Sequence, residues 1–126
     1  MDWTDALEYK TDYDDIIRYL EEKECFHDYR IGNLEYSSGK GTASVYVEEV
    51  IPNKKPQDNT GKIWLFEFEG IVKFELDNDC AVNFCIFEIA KGDEDGEIRF
   101  DLDQGYIRIK ARKISLRIPS DTRTAL

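Results

Sequence analysis

The sequence predicts an α+β domain: an N-terminal amphipathic helix packed on a curved, mostly antiparallel sheet of about seven strands, arranged as an open barrel or as two layers. Three observations point there. Apolar residues recur with the 3.6-residue period of a helix in one early segment. From residue 27 onward the period is two, the signature of strands with one buried face. The runs are joined mostly by turns of a few residues, which suit antiparallel neighbours and are too short for parallel crossovers. With 126 residues, 41% hydrophobic and 13% aromatic, the chain suits a single domain over residues 1–126 and carries enough apolar material for one core despite 35% charged residues.

The helix is expected over residues 12–25. Tyr13, Ile16, Ile17 and Leu20 share one face, while Asp14, Asp15, Arg18, Glu21 and Glu22 share the other. Thr11 with Asp14 three residues on reads as a capping box, and Asp12, Asp14 and Asp15 suit the positive end of the helix dipole. Ahead of it, Trp3 and Leu7 suggest a short additional turn. The sheet is expected over residues 27–118. Its first two strands, 29–36 and 42–51, flank the hairpin segment Ser37–Gly41. Ile31 is out of phase with Leu34 and Tyr36, which places a bulge at Gly32 and Asn33. The polar stretch 52–61, with two prolines and no apolar anchor, is expected to be the mobile loop.

The clearest alternation follows. Trp64, Phe66, Phe68, Val72, Phe74 and Leu76 occupy one face of a long strand, with Gly70 between them as a natural kink; Glu67, Glu69, Lys73 and Glu75 occupy the other. Residues 77–79 read as a turn. The run 81–90 is apolar on both faces, as in a central strand. Gly92 to Gly96 is a hairpin turn, after which Ile98, Phe100 and Leu102 alternate with Arg99 and Asp101, and residues 103–105 turn the chain again. In the last run Ile107, Ile109 and Ala111 fall on one parity and Ile114, Leu116 and Ile118 on the other. A one-residue slip exchanges whole faces, so a bulge is expected near Arg112 and Lys113. Pro119 ends the strand, and 119–126 is read as a frayed tail.

Charge narrows the range of functions. Lysine and arginine number 17 against 27 acids, a net charge of −10, which argues against nucleic acid and against an anionic membrane surface as partners. No stretch approaches the roughly 18 apolar residues of a membrane-spanning helix. The opening Met-Asp-Trp-Thr-Asp is too acidic for a secretory signal, and three cysteines with no export signal read as reduced thiols, so a cytoplasmic setting is expected. Cys80 and Cys85 fall on opposite faces of one strand, unsuited to pairing. The charge is also uneven: from Tyr106 to the end it is +5, leaving −15 on the other residues, and Met1 to Asp28 carries −7. The bases of the last strand are expected to lie beside Glu97, Asp101 and Asp103 and be neutralised there. Nothing comparable neutralises the helix, whose outer side remains a negative field for a basic partner.

No motif names a reaction. His27 and Asp28 form the one histidine–carboxylate pair, but neighbours on an extended chain point to opposite sides, so the pair reads as a helix-to-strand corner bonded to backbone groups. Setting Gly96 at position six of a calcium loop puts Lys91 at one and Leu102 at twelve, both wrong for a ligand. A single histidine and the cysteine spacing provide no zinc set, and neither Gly-x-Ser-x-Gly nor a glycine-rich phosphate loop is present. Glu67, Glu69 and Glu75 read as a solvated strand face rather than a hydrolytic carboxylate pair. No metal, cofactor or catalytic residue is expected.

The segments Phe26-His27-Asp28-Tyr29-Arg30-Ile31, Leu34-Glu35-Tyr36, Ala43 to Val47, Trp64 to Ile71 and Ile107-Arg108-Ile109-Lys110-Ala111 together resemble small bacterial proteins, both uncharacterised ones and immunity proteins of polymorphic toxin systems. The resemblance implies a cytoplasmic antitoxin-like protein that binds and blocks a toxin domain, and it carries over no catalytic or metal residue. The sequence-level expectation is therefore a non-enzymatic interaction module that meets a basic toxin domain through Asp14, Asp15, Glu21 and Glu22. The competing expectation is a small apolar ligand held between sheet and helix by Trp64, Phe66, Phe68 and Phe74.

Overall fold

A computed structural model describes residues 6–50, 62–77 and 85–119. Among the described residues are one α-helix and seven strands: β1 (Ala6–Lys10), α1 (Tyr13–Glu22), β2 (Arg30–Ser37), β3 (Thr42–Glu48), β4 (Ile63–Asp77), β5 (Ile86–Lys91), β6 (Glu97–Leu102) and β7 (Gly105–Pro119). All pairings are antiparallel, in the order β2-β3-β4-β7-β6-β5, with β1 added to β7. The loop expected at 52–61, Cys80, the first part of the run 81–90, most of the turn at 77–79 and the tail beyond Pro119 lie outside the described residues.

Strand β7 organises the sheet. Along one edge it pairs with β4 from Leu65↔Arg117 to Asp77↔Tyr106. Its other edge is shared: β6 takes the first part, from Leu102↔Gly105 to Glu97↔Lys110, and β1 takes the last, from Lys10↔Leu116 to Ala6↔Pro119. The outer strands β2 and β5 meet at one isolated bridge, Arg30 with Cys85, so the sheet is not closed into a barrel. Phe66, Phe68, Phe100, Ile98, Ile107, Ile109 and Leu116 are fully or almost fully buried and share one hydrophobic cluster with Ile16 and Leu20 of α1.

Several expectations need correction. The helix is not the first element, because residues 6–10, read as a short turn, form a strand on β7. Five residues are too few to show a period, and the stabilising interactions come from β7, far along the chain. Asp12, not Thr11, caps α1: its carboxylate accepts from the Asp15 N–H at 3.1 Å. The helix ends at Glu22 rather than residue 25 because Glu24, Cys25 and Phe26 take φ of 55°, 57° and 59°, a left-handed turn. Such backbone costs roughly 1–2 kcal/mol per L-residue. Phe26 holds it: fully buried, its ring meets Tyr29, Trp64 and Phe66 edge-on at 5.2, 5.3 and 6.2 Å. β5 is an edge strand, not a central one, and its second apolar side is covered only in part, with Phe87 half exposed beside His27.

Two irregularities set which side chains face the core. The register of β2 on β3 shifts between Ile31 and Asn33, where the phase change places it. On β7 the buried parity switches across Arg112 and Lys113, both exposed, as the sequence indicates. The β4–β7 register nevertheless runs unchanged from Leu65↔Arg117 through Glu69↔Lys113 to Ile71↔Ala111, so both strands change face together. Gly70 permits this with φ of 65°, and a Cβ there would fall 3.1 Å from the Arg112 Cβ. The register shift itself falls between Ile71 and Lys73 on β4, leaving Val72 exposed instead of in the core.

Phe26→Ala removes the ring that holds the left-handed turn, and it is expected to cost about 3–5 kcal/mol in urea unfolding. A loss below about 1 kcal/mol would show that the turn is held by something else.

Candidate interaction face

Of the five bases of β7, Arg108, Lys110 and Arg117 are paired on the outer side of the sheet, while Arg112 and Lys113 hold no ion pair among the described residues. Arg108 reaches Glu97 at 3.3 Å, Asp93 at 3.1 Å and Glu75 at 4.0 Å. Lys110 meets Glu94 at 2.8 Å, Lys73 sits among Glu75, Glu94 and Glu97, and Arg117 meets Glu67 at 3.0 Å. Of the acids expected to neutralise this strand Glu97 does so, while Glu75, Asp93, Glu94 and Glu67 take the place of Asp101 and Asp103. Asp101 is taken by Arg99 at 2.6 Å, because the register sets Arg99 opposite Arg108 and each like charge needs its own carboxylate. Asp103 is hydrogen-bonded to the Cys85 thiol.

Glu97 is the buried ionisable side chain among the described residues. Its carboxylate accepts from the N–H groups of Asp93 and Glu94 at 2.7 and 3.2 Å and so closes the β5–β6 turn on itself. Gly92 is required for this, since a Cβ there would collide with the Glu97 Cγ. Burial alone would raise the Glu97 pKa, but the two backbone donors and the Arg108 guanidinium outweigh it and hold the group below the ordinary glutamate value.

The acids of α1 are placed otherwise. Asp14, Asp15, Glu21 and Glu22 are all exposed. Asp15 pairs with Arg18 at 3.2 Å, whereas Asp14, Glu21 and Glu22 hold no ion pair among the described residues. The face extends beyond the helix. Burial first, then the charges of Asp95, Glu97 and Asp14, push the Tyr13 phenol up against the opposing effect of its bond to the Glu97 carbonyl. Burial, then Glu88 and Glu21, likewise raise the Cys25 thiol. Asp95 and Glu88 therefore continue the negative surface at the two ends of α1. Sequence reasoning missed both, because only the docking of β5 alongside the helix brings them there. Between α1 and β5 a mostly apolar cleft of about 280 Å³, lined by Ile17, Leu20, Cys25, Ile89 and Ala90, opens between Glu21 and Lys91.

The aromatic set behaves differently from a ligand site. Trp64, Phe66 and Phe68 are buried and pack edge-on with Phe26 and Phe100. Phe74 stacks on Tyr36 at 4.0 Å, and none of the four lines the cleft beside α1. His27 and Asp28 do approach each other, at 3.6 Å between Nε2 and Oδ1, contrary to the extended-chain expectation. Asp28 has φ of 71°, which brings the two side chains to one side. His27 Nδ1 lies 2.8 Å from the Phe87 carbonyl and Asp28 N–H donates to the Ile86 carbonyl, so the pair fastens the corner to β5. Among the described residues no cluster of His, Cys, Asp or Glu is arranged to hold a metal ion, and no helix is long and apolar enough to cross a membrane. Searches among protein families, curated proteins and solved structures find nothing that matches this chain.

Because the Glu97 pKa is lowered on folding, the stability it contributes is present above the ordinary value of about 4.3 and is lost as pH falls through the lower native value. Glu97→Gln is expected to cost about 1–3 kcal/mol at pH 7 and to flatten the acid side of the stability curve; an unchanged acid limb in urea titrations would contradict this role.

Proposed function

We propose that the chain is a non-enzymatic interaction module that binds a basic protein partner through the acidic face of α1, and that in its most specific form it is a cytoplasmic immunity protein neutralising a toxin domain. The observation that carries the reading is the contrast in pairing. The bases Arg108, Lys110 and Arg117 spend their charge on acids of the same sheet, while Asp14, Glu21 and Glu22 have no counter-charge within the described residues. Unspent charge steers association and selects a partner of opposite sign.

The finer arrangement suits docking. Ile16 and Leu20 are buried in the core cluster, while Asp14, Glu21 and Glu22 are exposed. The apolar cleft next to Glu21 gives an aliphatic or aromatic side chain of the partner a place to anchor inside a charged rim, the usual composition of an energetic centre in an interface. A basic nuclease-type domain fits this sign and shape. The ligand-binding alternative has less behind it, since Trp64, Phe66 and Phe68 satisfy one another as core.

Co-expression with a basic toxin domain encoded beside the gene tests the reading directly. Rescue of growth and a stable complex are expected, with the triple variant D14N/E21Q/E22Q weakening binding about tenfold at low salt and much less near 0.5 M, where screening shortens to a few ångströms. Absence of both complex and rescue overturns it.

A further inference from the structure

We propose that a second cleft, formed where β1 and β6 part company along β7, binds a small zwitterion of the amino-acid or dipeptide class. The proposal shares no residue with the acidic face and stands or falls separately from it. β6 leaves β7 at Lys110, with one further bond from the Ala111 N–H to the Gly96 carbonyl, and β1 joins only at Leu116. Over the intervening residues a cleft of about 440 Å³ opens, within the roughly 300–1,000 Å³ typical of small-ligand sites.

Its wall is fixed. Arg117 is bound to Glu67 at 3.0 Å and lies over the Tyr9 ring at 5.4 Å, so those three side chains hold one another. Glu69 and Lys113 also line the cleft and are not so engaged. The register sets them directly opposite on β4 and β7, both are exposed, and neither side chain makes an ion pair or hydrogen bond among the described residues. The cross-strand neighbours that would ordinarily neutralise each other are therefore one unspent carboxylate and one unspent ammonium at the same cleft. They lie next to the face switch at Gly70 and Arg112, where two successive residues of β7 point to solvent.

That pair defines the ligand's chemistry. A ligand ammonium meets Glu69, and a ligand carboxylate meets Lys113 with the hydroxyls of Ser115 and Thr11 close by as donors. The exposed Tyr9 ring offers apolar surface to the remainder. A purely anionic ligand faces repulsion from Glu69 and a purely cationic one from Lys113, so the cleft discriminates for a molecule carrying both charges.

The test is a titration of the full chain, followed by amide NMR, with leucine and with glycyl-leucine up to about 10 mM. Saturable shifts at Thr11, Lys113 and Ser115 are expected, with a Kd of about 1 mM or below. Glu69→Gln and Lys113→Met, both at exposed positions, should keep the melting temperature while weakening binding at least about tenfold. Acetate and methylamine, each carrying one of the two charges, should bind at least about tenfold more weakly. No saturable shift, an equal response to acetate or methylamine, or unchanged binding in both variants overturns the proposal.

Discussion

Strand β7 has to satisfy three neighbours with two edges. One edge is given whole to β4, and the other is divided between β6 and β1. Most of the architecture follows from that division. A strand that runs past the end of β6 exposes unpaired backbone, and β1 covers the far part by returning antiparallel to it. The chain leaving β1 must then cross toward β6, which α1 does: its first residue, Tyr13, donates to the carbonyl of Glu97 at the start of β6. β7 also changes its buried parity at Arg112 and Lys113, between the end of its pairing with β6 and the start of its pairing with β1. Gly70 on β4 allows the partner strand to turn with it, so the ladder continues across the change without losing register.

The electrostatic asymmetry of the molecule is a consequence of the same topology. Antiparallel pairing sets the outward residues of β7 beside those of β4 and β6, and the acids there, Glu67, Glu75, Glu94 and Glu97, absorb Arg117, Arg108, Lys73 and Lys110. Exposed pairs of this kind add little stability individually, but the network closes around a buried carboxylate that also terminates a turn, and there the geometry matters. With Arg108, Lys110 and Arg117 matched within the sheet, Asp14, Glu21 and Glu22 of α1 remain as exposed acids without an ion pair among the described residues.

How far the sequence discloses this depends on the range of the interaction involved. Local signals were sufficient for the amphipathic face of α1, the hairpin at Ser37–Gly41, the turn between Gly92 and Gly96, the bulge beside Gly32 and the parity switch at Arg112, because each is written within about ten residues. What escaped depends on distant partners. β1 is a strand because β7, more than a hundred residues later, offers it an edge. The run ending at Ala90 looks central by composition, yet it lies at the margin, its outer side only partly covered by a corner whose left-handed backbone no propensity predicts. The face of Asp14, Glu21 and Glu22 was readable as helix geometry; its extension to Glu88 and Asp95 was not, since both belong to the segment that docks on the helix.

The corner at residues 24–28 separates the chemistry of the surface from the stability of the fold. Left-handed residues are unfavourable in themselves, so they persist only while Phe26 is packed among Tyr29, Trp64 and Phe66. That packing stops α1, and the bonds of Asp28 and Ile86 across the corner tie β2 to β5, the two margins of the sheet. The position of the helix relative to β5, and hence the alignment of Glu21 with Glu88, is governed from a residue that contributes no charge to the face. Asp14, Glu21 and Glu22 in turn contribute almost nothing to the packing. Affinity for a charged partner and stability of the domain are therefore free to change independently at the acidic residues, but not at Phe26, where loosening the corner disturbs both.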